Sequence, residues 1–241
     1  MTARVANVRA KFCRLLAHRD FTSINREASL LRLVGGTTIE IVNASFIADE
    51  EAIFGTVNQD YIKREEAWYR SQSLNVNDIP GGPPAVWSAV ADPDGFINSN
   101  YGWCIFSREN GSQFKMSVAE LINNPESRRA IMIYTRPNMW SDFNKNGRSD
   151  FMCTNTVQYL IRHGAIHAVV QMRSNDAVFG YKNDRAWQLH VLEQVTKEVN
   201  DHQQEVKKRP YAIGKIYWNV GSLHVYARHF HLVDPEHYSK S

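Results

Sequence analysis

Two β-rich runs on either side of one short turn constrain this chain more than any other feature. From residue 153 to 161, Val157, Tyr159 and Ile161 alternate with Thr156, Gln158 and Leu160; His163-Gly164 follows, and residues 166–172 are again β-rich. Period-two alternation around a Gly-containing dipeptide predicts an antiparallel hairpin. Downstream, Trp187, Val191, Val195 and Val199 recur every four residues, which predicts a long helix over 183–199. Two more β-rich runs follow at 213–218 and 222–233. Val5, Val8, Phe12 and Leu15 stand at helical spacing, so an amphipathic helix opens the chain with its Arg and Lys residues on a solvated face. Ile39 and Ile41 alternate with Thr38 and Glu40 as in a strand, and residues 61–71 read as a helix holding Glu65 and Glu66. Ser117-Val118-Ala119-Glu120 reads as a capping box that opens a short helix, Asn124-Pro125 as a turn, and 130–135 as a strand. Helices and strands mixed in this way imply an α+β fold, a mixed sheet packed with helices.

Composition sets the outer bounds. With 43% apolar and 22% charged residues, 241 residues can bury a sizeable core, and one domain over 1–241 is expected. Disordered, collagen-like and coiled-coil chains are excluded, and the Pro/Gly-dense stretch 79–84 is short enough to be a surface loop. A net charge of +3 is too small for a typical nucleic-acid-binding domain, although it leaves room for a local anion site. The start, Met1-Thr2-Ala3-Arg4, leads into alternating apolar and basic residues, so no signal peptide is expected, and no apolar stretch reaches membrane-spanning length. Three widely separated cysteines, Cys13, Cys104 and Cys153, fit a reducing compartment.

Three patterns imitate functional sites. Asp142 to Gly147 resembles the start of a calcium loop, but Cys153 stands where the bidentate Glu is needed, so a polar turn is expected. His229 and His231 would share one face of a strand, with His224 upstream, yet no Cys or carboxylate stands at ligand spacing and no metal site is expected. His163 and His167 flank the hairpin turn and read as exposed polar residues.

The remaining motifs belong together. Ser149-Asp150-Phe151-Met152-Cys153-Thr154-Asn155-Thr156-Val157-Gln158-Tyr159 and Gln171-Met172-Arg173-Ser174-Asn175-Asp176 are accompanied by Asn98-Ser99-Asn100-Tyr101-Gly102-Trp103, Ser127-Arg128-Arg129 and Asn219-Val220-Gly221-Ser222-Leu223-His224-Val225-Tyr226. Taken in their order along the chain, over about residues 38–233, they resemble the thymidylate synthase superfamily and, within it, the bacteriophage deoxycytidylate hydroxymethylases. That resemblance implies a homodimer that binds dCMP and 5,10-methylenetetrahydrofolate, uses no metal and binds no nucleic acid directly.

The resemblance also implies roles. Cys153 matches the nucleophile that attacks C6 of the pyrimidine, and a thiolate suits that task because C5 is otherwise a poor nucleophile. By itself, a lone cysteine reads as a small buried hydrophobe. Arg173 is similar to the arginine that serves both the phosphate and the thiolate, with Ser174 adding a hydroxyl. Arg128 and Arg129 match the pair that crosses the dimer interface to the partner's phosphate site; by themselves they read as solvated arginines. Glu65 matches the catalytic glutamate that organises water and relays protons to the folate and the pyrimidine. Asp176 matches the pterin-binding carboxylate, and His224 and Tyr226 match the pair on the deoxyribose 3′-hydroxyl. Asn155 and Tyr101 line the pocket, while Trp87 and Trp103 read equally well as core.

Asp184, eleven positions after Arg173, stands where thymidylate synthases carry an Asn. Uracil presents an N3–H donor beside O4, whereas cytosine presents an N3 acceptor beside a 4-amino donor; a carboxyl that holds or shares a proton complements cytosine and, serving the proton shifts that accompany attack at C6, is also expected to be catalytic. By itself, Asp184 reads as an N-cap for a helix over 185–199.

The implied reaction is attack at C6, transfer of the one-carbon unit to C5, loss of the C5 proton and release of the folate, which leaves an exocyclic methylene. Water then gives 5-hydroxymethyl-dCMP; hydride from the folate would give 5-methyl-dCMP. The chain stops soon after Val233, at Pro235 to Ser241, and such a short cover over the folate favours water. A nucleic-acid-binding module using Arg128, Arg129 and Arg173 on phosphates is the competing reading. Phage DNA modification, in the cytoplasm of an infected bacterium, is the setting the resemblance implies.

Overall fold

A computed structural model describes residues 2–23 and 37–233. Val5–Ala17 forms helix α1, which buries Val5, Val8 and Phe12. Thr22–Ser23 (β1) and Thr37–Ile47 (β2) are followed by helix α2, Gln59–Ser71, and by the short helices α3, Ala85–Val90, and α4, Tyr101–Phe106. Next come α5 (Gln113–Asn123), β3 (Ile131–Ile133) and α6 (Met139–Asp142), then β4 (Thr154–Arg162) and β5 (Ala165–Asp176). The described residues end in α7 (Gly180–Glu205), β6 (Ala212–Tyr226) and a 3₁₀ helix, Ala227–Leu232.

The strands form one sheet in the order β1-β2-β6-β5-β4-β3. Every neighbouring pair is antiparallel except β5 and β6, which are parallel. Parallel neighbours need a long crossover. That crossover is α7, which therefore runs well beyond the 183–199 span of its apolar repeat and buries Trp187, Val191, Val195 and Val199 against the sheet. Ile166, Ala168, Val170 and Met172 of β5 face the same core. The alternation expected of the hairpin is present: Val157, Tyr159 and Ile161 are buried, and His163 (φ 52°) and Gly164 (φ 76°) form the turn. Two successive positive φ values match the turn type that suits strand twist.

Three expectations are corrected. The runs at 213–218 and 222–233 are one strand and a 3₁₀ helix. Gly221 only resembles a break: the ladder continues through it, Met172 opposite Val220 and Ser174 opposite Ser222. A side chain at Gly221 would meet the Arg173 carbonyl oxygen at 2.8 Å, so glycine permits the close approach. Beyond Tyr226, which pairs with Thr38, the described part of β2 offers only Thr37, and the chain coils. The capping box does not form either. α5 starts at Gln113, and Ser117 lies buried inside it, its hydroxyl directed at the Ile131 carbonyl. Glu120 instead accepts from Ser127 Oγ at 2.6 Å and from Arg129. His167, finally, is structural, not a free polar residue: its Nδ1 accepts the Lys215 N–H at 2.9 Å where the β5–β6 register slips.

Gly102 shows how tightly the site's supports are packed. A Cβ there would lie 1.8 Å from the Tyr69 carbonyl oxygen, so α4 can sit against the end of α2 only with glycine at the contact. Among the described residues, no helix is long and apolar enough to cross a membrane.

Candidate active site

The open end of the hairpin brings Cys153 and Arg173 together. Thr154 pairs with Met172, and the Arg173 N–H donates to the Cys153 carbonyl at 2.9 Å. The Arg173 side chain folds back over this junction: Nε donates to Met152 O at 2.9 Å, Nη2 to Phe151 O at 2.7 Å, and the guanidinium lies over the Phe151 ring. Nη2 is then 3.6 Å from Cys153 Sγ, a permanent cation beside the sulfur that favours its anionic, nucleophilic form. Cys153 is partly exposed, unlike Cys104, whose thiol burial pushes up to about 12.

A register slip between Thr154 and Thr156 leaves Asn155 as the bulged residue, with its carbonyl accepting from Tyr134 N at 2.9 Å. Bulges re-aim side chains beside active sites. The segment leading to Cys153 is clamped by buried Asp150, which accepts from Asn98 N (2.6 Å), Ser99 N (2.8 Å) and Ser99 Oγ (2.6 Å). Two residues later Asn100 caps α4 through the Trp103 N–H, and α4 begins with Tyr101. Tyr101 is buried and stacked on Tyr69, and interacts electrostatically with Asp184 and Cys153.

Asp184 is not a helix cap. It lies inside α7, whose N-cap is Phe179, and points back to the end of β5, where Asn175 Nδ2 donates to its Oδ2 at 2.7 Å. Burial, reinforced by the charge of Glu65, pushes its carboxyl up to about 7, against the opposing pull of the Asn175 hydrogen bond and the nearby Tyr101 hydroxyl. Glu65 is 5% exposed and accepts at Oε1 from Tyr61 Oη (2.6 Å) and Trp87 Nε1 (3.0 Å); burial raises its carboxyl above the usual range. Glu66, the next residue, is half-buried and pairs with His190 at 3.4 Å. Glu65, Asp184, Tyr101 and Cys153 thus interact electrostatically within one site.

Asp176 ends β5, where Oδ1 accepts the Val178 N–H at 2.8 Å and turns the chain into α7. It stands opposite buried His224, and Ser174 opposite Ser222. Tyr226 lies two residues beyond His224 on β6, edge-on to it at 4.8 Å. Arg128 and Arg129 are not brought to this site by their own chain. Both are exposed, and Arg129 pairs with Glu120 at 2.9 Å. Ala130 O meets Tyr159 N near the far end of β4. At about 3.3 Å per strand residue, the arginines are roughly 20–25 Å along the strand from Cys153. The three arginines therefore do not form one phosphate-binding face.

His229 is on the 3₁₀ helix, not a strand, and packs edge-on against Phe179. Lys145 to Gly147 form a polar turn. Among the described residues, no group of three His, Cys, Asp or Glu is placed to hold a metal. Sequence reasoning missed Tyr61, Asn175 and the clamping role of Asp150, and read Trp87 only as pocket wall or core. Tyr61 was within reach, because a residue four before Glu65 on a helix shares its face.

The thymidylate synthase family profile matches residues 55–238. The chain is 60% identical over 200 residues to the deoxycytidylate 5-hydroxymethyltransferase of Enterobacteria phage T4, covering 83% of this chain and 80% of that protein. The phage T6 protein of the same name matches equally, and the thymidylate synthase of Bacillus subtilis subsp. natto is 28% identical over 69% of this chain and 57% of its own length. Among solved structures, thymidylate synthase from T4 phage has the same fold, with a TM-score of 0.64 at 18% identity over 82% of this chain and 71% of that one. The chain belongs to the thymidylate synthase family.

Proposed function

We propose that this chain is a deoxycytidylate 5-hydroxymethyltransferase, a single catalytic domain that carries a one-carbon unit to C5 of dCMP and adds water to it. The observation that carries the base assignment is the Asp184 carboxyl, held by Asn175, buried and pushed up to about 7, in the same site as Cys153. A neutral carboxyl donates to cytosine N3 and accepts from its 4-amino group, whereas uracil would present N3–H to it. The name of the relative with 60% identity supports the same substrate and the same fate of the one-carbon unit.

The Cys153 thiolate, stabilised by Arg173, forms the S–C6 bond, and the ring electron pair moves to C5. 5,10-Methylenetetrahydrofolate supplies the one-carbon unit when bound. Asp176 fits that partner: Oδ1 is committed to the Val178 N–H, and among the described residues Oδ2 receives no hydrogen bond and can accept from a pterin ring. Once C5 has lost its proton, Glu65 takes a proton from water as the water oxygen bonds to the exocyclic methylene. The electron pair returns through C5 to C6, and Cys153 leaves as thiolate. Asn155 and Tyr101 wall the pyrimidine, and His224 and Tyr226 hold the deoxyribose hydroxyl. Arg173 and Ser174 meet the phosphate, and Arg128 and Arg129 reach it from a second copy of the chain. Val42, Ile131 and Ile133, 72%, 40% and 51% exposed on strands of the sheet, support such a copy covering them. The phage origin of the 60% identical relatives supports action in the cytoplasm of an infected bacterium.

Turnover of dCMP against dUMP tests the base assignment. Asp184→Asn is expected to move the ratio of specificity constants toward dUMP by about tenfold or more; an unchanged ratio would reject it.

A further inference from the structure

The hydrogen bonds around Glu65 have a fixed direction. An indole N–H can only donate, and Trp87 Nε1 lies 3.0 Å from both Tyr61 Oη and Glu65 Oε1. The phenol oxygen therefore receives from Trp87, and its own proton points along the 2.6 Å contact to Glu65 Oε1. Burial and the neighbouring carboxylate keep the phenol protonated far beyond its ordinary range, so Tyr61 remains a donor at every working pH. Two donors thus converge on Oε1. Among the described residues, Oε2 receives no hydrogen bond, and it is not one of the sealed, unpartnered polar atoms.

We propose that Tyr61 is the positioning residue for Glu65: it commits Oε1 as an acceptor and leaves Oε2 as the oxygen that takes the proton of the reacting water. This rests on the hydroxymethyl-transfer reading above. Tyr61 is one helical turn before Glu65 on α2, so the orientation is built into a rigid element and is independent of substrate. The donated hydrogen bond also favours the ionised carboxyl, which is the form that accepts a proton. The other charged or titratable groups around this pair are Tyr69 and Arg64 on α2 and Asp184 on α7.

The test is Tyr61→Phe, which removes one oxygen atom and keeps the ring. Carboxyl-labelled glutamate, with the Glu65 signal assigned by Glu65→Gln, reports the Glu65 titration by NMR in the substrate-free protein without interference from Asp184. The Glu65 midpoint is expected to rise in the variant. In turnover, kcat is expected to fall about tenfold or more, its acid limb to move to higher pH, and KM for dCMP to change less than about twofold. Replacing Tyr61 with a fluorotyrosine, a stronger donor, should move midpoint and limb to lower pH, and serves if the Phe variant does not fold. An unmoved Glu65 midpoint, or a variant whose KM alone changes, would overturn the proposal while leaving the reaction in place. Failure of the unaltered protein to form hydroxymethyl-dCMP would instead reject the reaction and, with it, the role of Oε2.

Discussion

Asn175 and Asp184 meet across a 2.7 Å hydrogen bond that joins the last residues of β5 to the second turn of α7. The bond makes Asp184 Oδ2 an acceptor and leaves Oδ1 to carry the proton that a cytosine N3 would share. It also opposes the burial that pushes this carboxyl up to about 7.

A pH dependence follows. If the neutral carboxyl reads cytosine, kcat/KM for dCMP should decline as pH rises through about 7. Asn175→Ala removes a donor that favours the ionised form, so the midpoint should move to higher pH. Asp184→Asn should abolish that decline. Steady-state pH profiles of the three proteins check this.

Stability shifts the other way from that of a salt-bridged carboxylate, whose folded midpoint is lowered. The folded carboxyl has a midpoint near 7 against an ordinary value of 3.8, so it contributes fully at low pH, and its contribution is lost as pH rises from about 4 through about 7. Asp184→Asn should therefore be more stable than the parent at pH 8, on the order of 2 kcal/mol, with the gap closing toward pH 4. Urea denaturation at the two pH values measures it.

Gly102→Ala should destabilise by about 3 kcal/mol or more, because its Cβ would lie 1.8 Å from backbone, where no rotamer change can relieve the clash. Thermal melting should show the loss, whereas Gly111→Ala, with open space but a φ of 78°, should cost only about 1 kcal/mol.

Complementation tests the shared phosphate site. Cys153→Ser subunits and Arg128→Ala/Arg129→Ala subunits should each be nearly inactive. When mixed, they should recover about a quarter of full activity, since half the dimers are mixed and each holds one complete site. No recovery on mixing would contradict arginines donated across an interface.

What the sequence revealed, and what it hid, divides along physical lines. The hairpin, α1 and the core stripe of α7 were legible because Val157, Tyr159, Val191 and their neighbours repeat at one structural period. The separation of the runs 213–218 and 222–233 and the Ser117 capping box misled because the ladder continues through Gly221, where glycine serves a close approach, and a Ser three before a Glu occurs inside helices as well as at their ends. Asp184 showed the hardest case. In isolation it reads as a cap, and only the register with Cys153 and Arg173 pointed to the site; Asn175, the partner that holds it, was invisible because tertiary folding makes the contact. Residues 24–36 and the final segment from 234, on which the expectation of a short folate cover rested, lie outside the described residues.

The identity of the product tests the central claim most directly. Incubation of the protein with dCMP and 5,10-methylenetetrahydrofolate, followed by mass spectrometry and absorbance at the dihydrofolate band, should give 5-hydroxymethyl-dCMP with no dihydrofolate. A methyl product with one dihydrofolate per turnover would contradict water as the final nucleophile.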